Sequence, residues 1–208
     1  MIALLAPDRV PASHYQRFLD ALQSEGFRGE VARDMGLRTV LATDNSIYQR
    51  LPQAAVFPRD AQDVELLARL VAQPQHRSVV LTPRGGGTGT NGQSLTDGII
   101  VDLSRHMNNI LEINVEQRWV RVQAGVVKDQ LNAALKSAGL FFAPELSTSN
   151  RATVGGMINT DASGQGSCTY GKTRDHVLEL DMVLRGGERL HGAALAEDDL
   201  TALCARED

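Results

Sequence analysis

Cysteine is nearly absent from this chain of 208 residues: Cys168 and Cys204 are the only two. With no Cys-x-x-Cys pair and no His-x-x-x-His, the chain encodes neither a zinc site nor an iron-sulfur cluster, and both cysteines read as reduced thiols. Aromatic residues make up 4%, no Lys/Arg cluster is interleaved with them, and the formal net charge is −4. That leaves no basic field for nucleic acid. Long apolar runs are missing too. None approaches the roughly 18 residues of a membrane span, and the opening "MIALLAPDRV" lacks both the basic start and the apolar length of a secretory signal. The expected location is the cytoplasm. What the chain does have is 42% hydrophobic and 22% charged residues, enough for a real core in one domain or two small lobes.

The apolar pattern alternates between helical and extended stretches, with no internal repeat. In "SHYQRFLDALQSEGF", Tyr15, Phe18, Leu19 and Leu22 recur at helical spacing. "AAVFP" reads as a strand; Asp60 then caps a helix in which Val64, Leu67, Ala68 and Val71 share a face, and "SVVLT" follows as a second strand. A strand-helix-strand crossover of this kind suits a parallel pair. Beyond it come the strand "IIVDL", the alternating "WVRVQAG", and a helix "VKDQLNAALKSAG" carrying Val127, Leu131, Leu135 and Ala138 on one side, with Gly139 as its stop. "HVLELDMVLRGGERLHG" reads as two strands joined at Gly186 and Gly187.

Glycine is concentrated where the second strand ends. "RGGGTGTNG", residues 84 to 92, follows "SVVLT" at the strand end where α/β sheets bind ligands. Gly87, Gly89 and Gly92 match G-x-G-x-x-G, but that fingerprint opens a long helix, and here only "QSLTD" separates the loop from Gly98 and the next strand. A nucleoside-triphosphate loop would need Gly-Lys-Ser/Thr, and the loop has no lysine. It would survive only with a lysine from elsewhere. What remains is a nest, in which successive left-handed glycines turn backbone N–H groups inward around a pyrophosphate, with a flexible surface turn as the alternative.

A second small-residue segment, "PELSTSNRATVGGMINTDASGQGSCTYGK", spans residues 144 to 172. Thr153 is placed to cap a short helix starting at Gly155 and Gly156, and a helix start favours an anion. The bulk-free "NTDASGQG" suggests a flat ring against the backbone, or else a tightly packed turn. Two separated anion-friendly segments suggest a long ligand with phosphates in its middle. FAD fits that description.

"PRGGGTG", "PELSTSNRATVGGMINTDASG" and "YGKTRDHVLELDMVLRGG" resemble the two FAD-contacting segments of the vanillyl-alcohol oxidase or p-cresol methylhydroxylase (PCMH) type flavoproteins. Within that superfamily the chain is similar to the amino-terminal part of the FAD-linked D-2-hydroxyacid dehydrogenases, which include D-lactate dehydrogenases and glycolate oxidase flavin subunits. "TDNSIYQ", "RGGGTGTNGQ" and "FAPELSTSNRAT" look most like the long bacterial D-2-hydroxyglutarate dehydrogenases with an iron-sulfur region behind the flavin domain. The resemblance runs from about residue 40 to 192.

The fold so implied is α+β, a two-lobed PCMH-type FAD-binding domain with a small parallel βαβ lobe and an antiparallel lobe incomplete at its carboxyl end. Residues 1–50 would be a helical arm, 51–109 the first lobe and 110–208 the second. The resemblance also implies that Arg84, Gly85, Gly86, Gly87, Thr88, Gly89 and Thr90 wrap the pyrophosphate. Thr153, Gly155, Gly156 and Asn159 would approach the flavin and ribityl portion, Pro144, Glu145 and Ser147 the ring, and the stretch from Tyr170 and Gly171 to Val177 would complete the wall of the second lobe. Relatives that attach flavin through a histidine after the glycine run have it where Thr88 stands here, so FAD is expected to bind non-covalently. Asp161 stands where many relatives carry asparagine.

The implied reaction passes hydride from a D-2-hydroxy acid to the flavin while a base takes the hydroxyl proton. No residue of this chain is assigned as that base, and no metal is expected. His176 and Asp175, as strand neighbours, would point to opposite faces, and His14, His76, His106 and His191 have no orienting partner in view. Arg151 and Arg174 could meet a carboxylate, although a solvated arginine is the commoner case. The chain is expected to be an amino-terminal piece, inactive alone. Its partners would be a hydroxy acid held by a cap region and an acceptor such as a quinone, a cytochrome or an iron-sulfur region. Leu200, Leu203 and Cys204 would form an uncovered helical stripe near its end. A non-catalytic flavin-binding or interaction module is the alternative.

Overall fold

The computed structural model describes residues 11–205, so the amino-terminal decapeptide, with its reading as no signal, lies outside the described residues. The amphipathic stripe near the start forms α1 (Ser13–Ser24), which buries Tyr15, Phe18, Leu19 and Leu22. Asp34 accepts the Leu37 N–H and so opens α2 (Met35–Leu41), an element the apolar pattern did not announce.

The first sheet has four strands in the order β1-β2-β4-β3: β1 (Glu30–Ala32), β2 (Ala54–Phe57), β3 (Leu81–Arg84) and β4 (Ile99–Asp102). β4 runs parallel to both neighbours, while β1 adds antiparallel at the edge. The strand-helix-strand unit around α3 (Ala61–Val71) is therefore present, but its two strands do not pair with each other, because β4 lies between them. β2 and β4 are buried along their whole length, the continuous apolar run of strands covered on both faces. The second strand also begins later than "SVVLT" suggests: Val79 is buried and Val80 half-exposed ahead of β3, and pairing carries on through Pro83 and Arg84.

Asp60 caps α3 as expected, accepting from the N–H groups of Gln62 and Asp63. The buried face, however, is Asp63, Leu66, Leu67 and Leu70, rotated from the expected Val64, Leu67, Ala68 and Val71. The cause is polar. The Asp63 carboxylate, 2% exposed, accepts the backbone N–H of Arg28 at 3.0 Å and of Arg59 at 2.9 Å, so an acid belongs to the inward stripe.

From residue 110 onward the sheets are antiparallel hairpins, β5 (Ile110–Asn114) with β6 (Trp119–Val122), and β7 (Leu180–Val183) with β8 (Arg189–Gly192). Between them lie α4 (Lys128–Leu135), α5 (Val154–Asn159) and the short α6 (Ser167–Tyr170). Gly139 ends the α4 segment with φ +69°, in the left-handed region where a stop glycine belongs. The final hairpin turns at Gly187, φ +85°, and leans on α3, where Arg189 pairs with Glu65. Residues 173–176 form a single helical turn rather than the start of a strand. α7 (Glu197–Cys204) leaves Leu200 and Leu203 exposed, as its stripe suggests.

The apolar clusters are separate. Two clusters use residues up to Leu103, on either side of the first sheet, and a third joins Val126, Leu131, Leu135 and Val154 to the β5–β6 hairpin. Among the described residues no helix is long and apolar enough to cross a membrane.

Candidate functional site

Two of the five glycines of the first loop, Gly85 and Gly86, are dictated by the protein's own second segment. A Cβ on Gly85 would overlap the Thr153 hydroxyl, and one on Gly86 would overlap the carbonyl oxygen of Arg151. The two small-residue segments therefore abut directly. Only Gly87, φ +63°, and Gly92, φ +73°, are left-handed in this loop, so the expected succession of left-handed glycines reduces to two. The donor array is nonetheless there. The backbone N–H groups of Gly86 to Thr90 donate to no acceptor among the described residues, whereas the loop's carbonyl at Gly87 accepts the Asn45 N–H at 3.0 Å. A Cβ on Gly89 would overlap the side-chain amide of Gln93.

The Arg84 side chain is engaged by the protein's own backbone. Its guanidinium donates to the carbonyl of Thr43 at 2.8 Å and of Leu41 at 3.3 Å, tying β3 to the end of α2. Burial pushes its pKa down, the nearby Asp102 and Asp44 carboxylates push it up, and Arg151 pushes it down again. Asp44 is itself kept below the ordinary range: burial raises it, and hydrogen bonds from Ser46 and Ser94 with the Arg84 charge outweigh that.

The second segment is sewn to the turn before α4. Lys128 N–H donates to Ala152 O, Val154 N–H to Val126 O, and Gly155 N–H to Ala124 O, all within 2.8–3.0 Å. A Cβ on Gly155 would press on Ala124 at 2.8 Å, so that glycine too answers to packing. Thr153 caps α5, its hydroxyl accepting the Gly156 N–H at 3.4 Å. Gly156 is the exception among these glycines. It is exposed, and an added Cβ would meet only the Thr153 hydroxyl at 3.2 Å, leaving space on its outer side. The Asn159 amide folds back onto the Gly155 carbonyl at 2.9 Å.

Two adjoining clefts, of about 390 and 250 Å³, open where the segments meet, and both are lined by Arg84, Gly86 and Arg151. Gly85 and Thr153 also line the larger and Gly87 the smaller. Of the other expected residues, Thr88, Gly89, Thr90, Pro144, Glu145, Ser147, Gly155, Gly156, Asn159, Tyr170, Gly171 and Val177 line neither. Pro144 is buried; Tyr170 packs edge-on against Phe141; Gly171, φ +81°, and Val177 flank the turn at 173–176. Asp161 holds φ +46°, a left-handed position that only asparagine and aspartate occupy readily besides glycine, and it accepts the Arg174 N–H at 3.2 Å.

Lys128 escaped the reading of the sequence. Its ammonium is almost wholly buried and pairs with Glu145 at 3.0 Å, fixing the segment of residues 144–147 to α4. The hydrogen bond from Lys128 holds the Glu145 carboxyl below the usual glutamate range. The carboxylate's contribution to stability is thus present above the ordinary glutamate pKa and is lost as pH falls through the lowered one. Glu145→Ala leaves a buried ammonium unpaired and should cost about 2 kcal/mol at pH 7, while Lys128→Met, which lets the half-exposed Glu145 return to water, should cost less. Denaturant titrations at pH 7 and at pH 3.5 check this: the gap between wild type and Glu145→Ala should narrow at the lower pH.

No histidine lines either cleft. Two do have carboxylate partners, contrary to expectation: His106 meets Glu30 and His191 meets Asp181, each at 2.7 Å on the surface. The partners come from distant residues or across a hairpin, out of reach of local pattern. His176 bonds the Tyr170 carbonyl, and His76 is buried edge-on to Phe18. Among the described residues no group of three or more His, Cys, Asp or Glu could hold a metal.

Residues 52–192 match the model of a family described as "FAD binding domain". A D-2-hydroxyglutarate dehydrogenase of Pseudomonas putida is 75% identical over 94% of this chain, which spans 19% of that protein. A glycolate oxidase subunit of Bacillus subtilis is 38% identical over 75% of the chain and 34% of its own length. The chain thus spans about a fifth to a third of the length of these curated relatives. Among solved structures, an alkyldihydroxyacetonephosphate synthase has the same fold, with a TM-score of 0.76 at 21% identity over 93% of this chain and 37% of its own. With the family model covering most of its length and the glycine loop set against the α5 turn, the chain belongs to the FAD-binding domain family.

Proposed function

We propose that this chain is the FAD-binding part of a flavin-dependent dehydrogenase that oxidises a D-2-hydroxy acid of the D-2-hydroxyglutarate type and passes the electrons to a separate acceptor. The observation that carries the reading is the run of backbone N–H groups from Gly86 to Thr90 that donate to no acceptor among the described residues, where the loop abuts the 151–156 turn. The residues fit the cofactor. Those N–H groups suit a diphosphate, the shared clefts suit an elongated ligand, and the open side of Gly156 suits close approach of a flat ring. FAD, once bound, supplies the two-electron acceptor. The residues of this chain bind and orient it, and Lys128 with Glu145 steadies the neighbouring segment. We take residues 51–109 and 110–208 as two lobes closing on the cofactor, a division supported by their separate apolar clusters, with β1 and α1 of the arm packed onto the first. A cytoplasmic location, and an acceptor such as a quinone, cytochrome or iron-sulfur region, belong to the same reading.

The test is FAD binding by fluorescence quenching. Gly156→Val should weaken it at least tenfold with little loss of stability, while Gly186→Val, at a position with open space and no left-handed φ, should leave it unchanged. Acid denaturation followed by filtration should release all flavin, since Thr88 offers no attachment. Flavin retained on the chain, or equal affinity in both variants, would count against the reading. For the activity, the full-length protein should reduce a dye with D- but not L-2-hydroxy acids.

A further inference from the structure

Two guanidinium groups line the same pair of clefts, and among the described residues only that of Arg84 finds partners. Arg84 is spent on the carbonyls of Leu41 and Thr43, with Asp102 and Asp44 nearby. Arg151 is exposed, and its side chain has no hydrogen bond or ion pair to any of the described residues. Its charge acts on Arg84 in the unfavourable sense. The carboxylates within range are already engaged: Asp102 accepts from the N–H and hydroxyl of Ser104, and Asp44 from Ser46 and Ser94. A pair of like charges therefore borders clefts that Gly86 and Gly87 also line, whose backbone N–H groups donate to no acceptor among the described residues, and an anion there would relieve the repulsion.

We propose that Arg151 is the cationic arm that closes on the diphosphate of FAD and sets a preference for the dinucleotide over FMN. This rests on the FAD reading above. The backbone of Arg151 is registered on the glycine loop, because its carbonyl occupies the space that a side chain on Gly86 would need. Its N–H is held by Thr148 O at 2.9 Å and Ala152 N–H by the same carbonyl at 2.8 Å, so the turn is anchored while the side chain is left uncommitted. A guanidinium presents a forked set of donors suited to phosphoryl oxygens, and an exposed one acts through a field that salt screens. FMN has a single phosphate at the end of its ribityl chain and lacks the bridge on which the loop and the arginine converge.

The experiment uses full-length protein stripped of flavin, titrated with FAD and with FMN by fluorescence quenching at low and high salt. Wild type should bind FAD more tightly than FMN, with affinity falling as salt rises. Arg151→Gln should weaken FAD about tenfold, flatten the salt dependence and change FMN less than twofold; Arg151→Lys should recover part of the loss, as a point charge without the fork. Thermal stability should stay within about two degrees, since the side chain is exposed and makes no hydrogen bond or ion pair to the described residues. Wild-type affinity and salt dependence in Arg151→Gln would overturn the proposal and leave the FAD reading standing. An equal loss for FAD and FMN would overturn the dinucleotide preference. Wild type that fails to take up FAD at all would overturn both.

Discussion

Gly86→Val should abolish measurable FAD binding, weakening it more than a hundredfold, and should lower stability by about 3 kcal/mol. The added Cβ would overlap the carbonyl oxygen of Arg151, a backbone atom that cannot swing aside as a side chain would. The turn carrying that carbonyl is fastened on both sides, by Thr148 O and by the bond from Lys128 N–H to Ala152 O. Strain is thus relieved by parting the loop from the α5 turn, which disperses the donors that we propose meet the diphosphate. Gly156→Val is the contrast, because its Cβ would meet only the Thr153 hydroxyl at 3.2 Å, leaving the seam closed and filling only the side where we propose that the flavin approaches. Denaturant titration with FAD binding on the same samples checks the pair. If Gly86→Val kept stability and bound FAD within threefold of wild type, the close approach of these two segments would have no part in the site.

Asp63→Leu is expected to destabilise the protein by about 3 kcal/mol and to lower its melting temperature by about 10 °C. The carboxylate sits at 2% exposure and takes two backbone N–H groups that no other residue replaces, Arg28 at 3.0 Å and Arg59 at 2.9 Å. Leucine fills similar volume and improves the apolar stripe, so any gain in burial acts against the expected loss. The unpaired donors decide the sign: both bonds are part-buried, and an N–H deprived of its acceptor away from water costs about 1–3 kcal/mol. Asp63→Asn, which retains one acceptor oxygen, should fall between. A leucine variant at least as stable as wild type would mean that water reaches those amides. FAD affinity at saturating stability should be unaffected, since Asp63 borders neither cleft.

Features set by neighbours along the chain were legible in the sequence: the stripe of α1, the Asp60 and Thr153 caps, the Gly139 stop and the turn at Gly187. Each depends on a few adjacent residues and on backbone rules. The insertion of β4 between β2 and β3 was not legible, nor was the edge strand β1, because pairing partners dozens of residues apart leave no local mark. The rotation of α3 escaped because the periodicity argument treats an acid as outward-facing, and Asp63 is inward for a hydrogen-bonding reason supplied by residues 28 and 59. At the site, the location of the glycine loop was readable and its FAD family is borne out. The individual duties were less so. Arg84 sits in the motif but serves the carbonyls of α2 and the residues after it, whereas Lys128, outside any motif, is buried in a pair with Glu145.

The position of β4 has a consequence for the order in which the molecule can take shape. As a ribosome delivers the chain, β2, α3 and β3 emerge before the strand that must lie between β2 and β3, so the first sheet has no hydrogen-bonded centre until Ile99–Asp102 arrives. The glycine loop lies within the connection from β3 to β4 and is pinned at both ends only by that insertion. Parallel pairings of this separation form slowly, since loop closure precedes any reward from contact. Until then the nascent chain exposes the apolar faces of β2 and α3, and the glycine loop is fixed in place by the last strand of its sheet, ahead of the 151–156 turn that later closes against it.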